Sequence, residues 1–329
     1  MSATPHNTRT ASPHLGEAVP GASTWPGARS TPSGGHRGPV QAAPATAPAT
    51  EEEPAPPARH RGPGRNLPAA ITVGVLLGGA VLAVLFLLPK AVFAAVVAIV
   101  LVIGVLEVVR ALGRGDVKVP ALPVLVGVVG MVISTVVFGV EGLVAATAAA
   151  VCVVILWRVS ESLGLIALRD VAGGVFTIAW VPFLGCFTLL LLAQEQGQLL
   201  VLLAVLVPVA NDTGGYVAGV LFGSHPMAPS ISPKKSWEGF AGSLLAGIAA
   251  STALLVWALG EPWWVGVILG AALVVLSTCG DLAESLLKRD LGIKDMGHLL
   301  PGHGGMLDRI DSILLAAPTT FILLEFLLP

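Results

Sequence analysis

Charge is what this sequence has least of. Only 12% of its residues are Asp, Glu, Lys or Arg, about half of the ~25% usual in soluble domains. With 54% hydrophobic residues and a mean hydropathy of +0.85, that scarcity excludes an ordinary water-soluble fold. Cysteine is scarce too. Cys152, Cys186 and Cys279 are the three, each in or beside an apolar stretch and none in a CxxC. That pattern excludes a disulfide framework and reads as small buried hydrophobes. Alternating segments of about ten residues, the mark of a membrane β-barrel, are missing. The N-terminal region lacks the apolar h-region of a secretory signal. Nothing in the chain points to a nucleic-acid partner.

What is present divides into two materials. Residues 1–66 are rich in Pro, Ala, Gly, Ser and Thr, with an acidic run from Glu51 to Glu53 and dispersed histidines. They read as a disordered cytoplasmic tail. Residues 67–329 are dominated by apolar segments of about the 20 residues that cross a bilayer as a helix. The expected fold is therefore an all-α, polytopic integral membrane protein with about nine transmembrane helices. The spans are expected near 69–88, 91–111, 119–138, 141–157, 172–193, 198–218, 240–259, 263–283 and 312–328. On that count 17 of the 18 Lys and Arg residues fall on one side, Lys90 being the exception. The positive-inside rule then predicts a cytoplasmic N-terminus, a C-terminus on the opposite side, and polar motifs facing the cytoplasm.

The charge that exists is concentrated. The stretch DLAESLLKRDLGIKDMGHLLPGHGGMLDRIDS, from Asp281 to Ser312, carries ten formal charges amid Leu, Val, Ala and Gly. Asp281, Glu284, Ser285 and Lys288 share a helix face by their spacing. The glycines of PGHGGM could expose backbone N–H groups, a common way to hold phosphate oxygens. Asp308 and Asp311 open the last span, and can face Asp281 if spans eight and nine pack together. A second polar block, NDTGGYVAGVLFGSHPMAPSISPKKSWEG, runs from Asn211 to Gly239. There Asp212 ends an apolar span, where an acid is costly unless paired, hydrated or bound to a cation. Lys234, Lys235 and Ser236 supply phosphate-binding groups. Together the two blocks read as a metal–phosphate site. Hard carboxylate oxygens suit Mg²⁺, whereas zinc would want Cys or paired His ligands, and His298 and His303 stand isolated.

The stretch from Ser285 to Asp311 closely resembles the signature of phosphatidate cytidylyltransferases, also called CDP-diacylglycerol synthases. The pattern is Ser-x-x-Lys-Arg, four residues, Lys-Asp, then Pro-Gly-His-Gly-Gly, then Asp-Arg-hydrophobic-Asp. Ser285, Lys288, Arg289, Lys294, Asp295, Pro301, Gly302, His303, Gly304, Gly305, Asp308, Arg309 and Asp311 meet every fixed position. The upstream block resembles the family's as well, with Gly215 where Ala is common and Ser236 where Thr is common. The resemblance is strong over 205–315 and does not cover the tail. It implies transfer of the cytidylyl group of CTP to phosphatidic acid, with Mg²⁺ on Asp281 and Asp308 and a monovalent cation, K⁺, beside it. It also implies a homodimer in the cell membrane, with a site open to cytoplasm and lipid.

On this reading Lys288, Arg289, Ser285, Asp281 and Asp308 carry the chemistry. Lys234, Lys235, Ser236, Lys294, His303, Gly304, Gly305 and Arg309 bind the phosphates of CTP or phosphatidic acid. Asp212 is a third metal ligand or an orienter, and Asp295 and Asp311 play supporting parts. Glu107, Arg158 and Arg169 belong to the site or merely obey topology. The alternative from another class is a membrane transporter with a cytoplasmic-side polar site. Against it, no inverted repeat relates the two halves.

Overall fold

The computed structural model describes residues 67–328, apart from 229–231 and 298–303. The tail expected to be disordered therefore lies outside the described residues, as do His298 and His303. The described chain is helical almost throughout. In order it forms α1 (Leu67–Leu87), α2 (Lys90–Arg114), α3 (Ala121–Glu161), α4 (Gly164–Ile178), α5 (Leu184–Ala193), α6 (Gly197–Phe222), α7 (Trp237–Leu254), α8 (Trp263–Asp290) and α9 (Leu307–Leu327). A short antiparallel pair, β1 (Pro226–Ala228) and β2 (Ser232–Ser236), joins α6 to α7, with Pro226 opposite Ser236 and Ala228 opposite Ser232.

Among the described residues, seven helical stretches are long and apolar enough to cross a membrane. This is a multi-pass membrane protein. Large apolar side chains such as Leu165, Trp257 and Phe326 stand more than four-fifths exposed. In water such surfaces would aggregate; in a bilayer they are the face presented to lipid. The three cysteines are free, as expected, but only Cys186 is buried; Cys152 and Cys279 are exposed on their helices, contrary to the expectation of buried hydrophobes.

One expected break between spans is present and one span begins earlier than expected, each for a local reason. Spans 119–138 and 141–157 are the two limbs of α3, separated as expected, at Gly139 with φ 64 and ψ −140. A Cβ added at Gly127 would sit 2.8 Å from the Cβ of Ala150. In one straight helix residues that far apart in sequence would be separated by about 35 Å. The two limbs of α3 therefore fold back on each other, with Gly139 as the turn. The span expected from 172 begins earlier, at Gly164, and runs through a π-helical turn at Ala179–Phe183 into α5. Pro182 lies in that turn; it lacks the N–H of an α-helical bond, and the wider turn accommodates the loss.

The ends of the bundle are sorted by chemistry. Gln194, Glu195, Glu261 and Glu325 line one cavity, so the α5–α6 and α7–α8 connections and the end of α9 share one end. Lys90, the cation on the less basic side by sequence, is used structurally: its Nζ donates to the carbonyl of Leu192 at 2.8 Å. The opposite end of α8 carries Asp281 to Asp290. Two apolar cores support the bundle, one centred on α2, α3 and α5, the other on α6, α8 and α9.

The backbone at Gly139 is open essentially to glycine alone. Gly139→Ala is expected to cost about 1–3 kcal/mol, read as a lowered unfolding midpoint in detergent. Nothing lies within 4 Å of a Cβ there, so any loss reports backbone strain rather than a clash.

Candidate active site

The site starts with two helices that touch through glycine. A Cβ at Gly214 on α6 would lie 2.5 Å from the Cβ of Ala246, and one at Gly242 on α7 would lie 2.2 Å from that of Ala218. Small residues let membrane helices approach until their backbones meet. The approach brings the polar end of α6 against the start of α7. Ser243 donates to the Asn211 carbonyl at 2.6 Å, and Asn211 Nδ2 donates to Asp212 Oδ1 at 3.0 Å. Ser236 caps α7, its Oγ accepting the Gly239 N–H at 3.1 Å. A cavity of about 200 Å³ opens there, lined by Asp212, Tyr216, Lys235, Ser236, Thr278 and Asp281 among others.

The cavity joins the two sequence blocks. Lys235, at the end of β2, forms an ion pair with Asp281 on α8. Around the helix from Asp281, Glu284 is 1% exposed. Asp281, Glu284 and Asp311 each offer a carboxylate oxygen, and the three oxygens lie within 4.8 Å of one another. Lys288 stands beside them, its Nζ 3.4 Å from Glu284 Oε1 and 2.8 Å from Asp308 Oδ1. The contact of α8 with α9 that the sequence required for this convergence is close. A Cβ at Gly280 would meet Leu315 Cδ1 at 2.7 Å.

The donor set fits a hard divalent cation. All three clustered groups are carboxylates, the ligand type of Mg²⁺ and Ca²⁺. The buried Glu284 Oε1 makes no hydrogen bond among the described residues. The Lys288 ammonium lies 3.4 Å from that oxygen; burying an acid oxygen without a hydrogen bond is costly, and a cation would lower that cost. The acids the geometry groups with Asp281 are Glu284 and Asp311. Asp308 is otherwise engaged: besides Lys288 it accepts the backbone N–H groups of Met296 at 3.0 Å and Gly305 at 2.9 Å.

The Gly-rich loop is held in the same way. The Gly305 amide is occupied by Asp308, so it already has its acceptor. The next two amides go to Glu107 on α2: Met306 N–H to Oε1 at 3.0 Å and Leu307 N–H to Oε2 at 2.8 Å. Glu107 is 3% exposed. Sequence reasoning left it undecided between site and topology. Its one signal was an ionisable group within an apolar helix, which is expensive unless it has a partner.

The other expected site residues are placed as follows. Ser285 is half-buried on α8, Arg289 and Lys294 are exposed, and Gly304 has a φ of 81. Asp295 lies by Gly304, its Oδ1 3.4 Å from a Cβ built there. Arg309 is exposed on the first turn of α9 and has an interaction partner. The Lys234 side chain and His303 lie outside the described residues. Arg158 and Arg169 belong to a different cluster. Arg158 pairs with Glu161 and with the fully buried Asp170, which also accepts the Lys118 N–H at 2.8 Å. Arg169 donates to the Asp116 carbonyl. This knot ties the α2–α3 loop to the α3–α4 junction.

The sequence profile of the cytidylyltransferase family matches residues 68–327, nearly all of the described chain. This chain belongs to the cytidylyltransferase family. Its similarity to individual members is also broad. It is 42% identical over 276 residues to proteins named phosphatidate cytidylyltransferase from Mycobacterium bovis and Mycobacterium tuberculosis. The match covers 80% of this chain and 90% and 84% of those relatives. A protein of the same name from Mycobacterium leprae is 42% identical over 279 residues, covering 89% of its length. The Ser-x-x-Lys-Arg segment of α8 and the Asp-Arg-x-Asp segment of α9 thus face each other in this cytidylyltransferase, with Asp281 and Glu284 just before the first and Asp311 closing the second.

Lys288 is the cation between the buried Glu284 and the half-buried Asp308, with a side chain 17% exposed. Lys288→Met should destabilise the protein by about 3–5 kcal/mol, the usual cost of removing one partner from a buried pair. Thermal unfolding in detergent measures this. Adding Glu284→Gln to that variant should recover part of the loss, because the orphaned charge goes with it.

Proposed function

We propose that this chain transfers the cytidylyl group of CTP to phosphatidic acid, giving CDP-diacylglycerol and pyrophosphate. The observation that carries the reading is the 42% identity, over most of both chains, to proteins named for that activity. The constellation of acids and lysines supports it chemically. A transporter reading gains nothing from the geometry: the clustered acids and lysines of the two motif blocks gather at one end of the bundle, and among the described residues no matching site is built from a repeated half.

In the reaction an anionic oxygen of the lipid phosphate attacks the α-phosphorus of CTP. The bond from that phosphorus to the β-phosphate oxygen breaks, and pyrophosphate leaves with the electron pair. The nucleophile is already deprotonated at neutral pH, so the protein's task is positioning and charge stabilisation rather than base catalysis. Lys288 and Lys235 lie beside the acid cluster as compact point charges for phosphate oxygens. The exposed Arg289, Lys294 and Arg309 belong to the same sequence block as the cluster and suit a triphosphate. Ser285 can donate from its hydroxyl. Lys234, His303 and Gly304 are assigned to phosphate binding by family resemblance.

Mg²⁺ suits this site, and Asp281, Glu284 and Asp311 are the groups that would hold it, with Asp212 at the cavity wall. When bound it would supply Lewis-acid stabilisation to the phosphate oxygens. Family resemblance instead assigns Asp281 and Asp308 to the metal, with K⁺ alongside. Asp281 belongs to both sets. The same resemblance supports a homodimer in the cell membrane. The basic residues at this end of the bundle support a cytoplasmic-facing site, which suits an enzyme taking one substrate from water and the other from lipid.

Purified protein in detergent should form CDP-diacylglycerol from phosphatidic acid only with CTP and Mg²⁺, and chelation should abolish product. Asp281→Asn should lower turnover on the order of 10²–10³-fold, as for loss of one charge-stabilising group. Comparing Asp308→Asn with Asp311→Asn on the Mg²⁺ requirement separates the two ligand sets. A well-folded wild type that makes no product with any nucleotide would sink the reading.

A further inference from the structure

Glu107 lies on α2, 200 residues from the amide it holds and outside both motif blocks. We propose that it is a positioning residue for the reaction, the anchor that sets where Asp308 and Asp311 stand. The inference rests on the function proposed above.

The geometry is specific to a carboxylate. Both oxygens accept, one from Met306 and one from Leu307, the residues that open α9. These N–H groups have no partner within their own helix, and the positive end of the helix favours a negative charge there. The loop is shaped around the side chain. A Cβ at Gly297 would fall 2.1 Å from Glu107 Oε1, and one at Gly305 would fall 2.6 Å from Oε2. Any residue larger than glycine at either position would collide with the anchor. This gives a physical reason for the second glycine of the Gly304–Gly305 pair that does not involve phosphate.

The path from anchor to chemistry is short. Leu307, bonded to Glu107, directly precedes Asp308. Asp308 in turn fixes the Met296 and Gly305 amides and the Lys288 ammonium. Asp311 lies one turn further along α9, within the acid cluster. A shift at the start of α9 therefore moves a carboxylate of the cluster and the partner of its lysine together. The rest of α9 is fixed in the apolar core through Leu314, Ala317 and Leu324, so Glu107 governs the loop and first turn rather than the helix as a whole.

The test uses the full-length protein in mixed micelles with dioleoyl phosphatidic acid, Mg²⁺ and varied CTP. Glu107→Gln preserves shape but turns an NH₂ group toward a backbone N–H, so one bond is lost. It should lower kcat about 10–100-fold, as misplacement of catalytic groups does, while KM for CTP changes less than about threefold. Met306→Pro removes a donor and leaves the acid in the chain; φ is already −66 at this position, which proline adopts, and its Cδ, taking the place of the hydrogen aimed at Oε1, displaces the carboxylate from this contact. It should depress kcat in the same direction.

Hydrogen exchange supplies the readout that does not need turnover. Peptides covering Met306 and Leu307 should exchange at least about tenfold faster in Glu107→Gln, while those from α5 and α6 are unchanged. Unchanged kcat and unchanged exchange in folded Glu107→Gln would overturn the proposal, as would a loss confined to KM. If Glu107→Gln fails to fold, Met306→Pro with wild-type kcat overturns it equally. A wild type without synthase activity would defeat the proposed reaction, yet exchange would still decide whether Glu107 holds the loop.

Discussion

Everything at the polar end of this bundle depends on carboxylates bonded to backbone amides where α9 begins. A helix leaves its first N–H groups without internal acceptors, and near a bilayer there is little water to take them. Glu107 takes those of Met306 and Leu307, and Asp308 takes those of Gly305 and Met296. With these four bonds made, the loop between α8 and α9 has a fixed end. Lys288 then meets Asp308, and Asp311 meets Asp281 and Glu284. The acid cluster follows from a solution to a backbone problem.

The second block reaches the same place by a different force. Gly214 and Gly242 allow α6 and α7 to touch backbone to backbone, and the β1–β2 hairpin then hands Lys235 to Asp281. Dispersion and shape do here what hydrogen bonds do at α9. The cavity between them has a polar wall from each block, which suits a reaction between a water-soluble nucleotide and a lipid headgroup.

Much of this was legible in the residues themselves. The membrane class followed from long apolar runs, because length and polarity suffice for that inference. The facing of Asp281, Glu284 and Lys288 followed from helical spacing, and the approach of Asp311 from the short α8–α9 connection. Three features were not legible. Glu284 entered the sequence reading as a member of a stripe, and only packing makes it a buried partner of Asp281 and Asp311. Glu107 was ambiguous because its partners are backbone amides, and amides are present at every position of every sequence. Occupancy of the Gly305 amide was hidden for the same reason: glycine richness announces available donors without saying which acceptor arrives first.

The separation of Glu107 from Leu307 also imposes an order on the making of the protein. The ribosome delivers α2 to the membrane while α9 is still untranslated, 200 residues away. During that interval the carboxylate lacks the two N–H donors it will hold, and its place two turns from the end of α2 at Arg114 keeps it close enough to the interface to stay hydrated. Only when α9 inserts can that water be exchanged for amides. The reactive end of the molecule is therefore completed only once α9 is in place, and a nascent chain arrested before α9 carries Glu107 but neither the amides it holds nor Asp308 and Asp311.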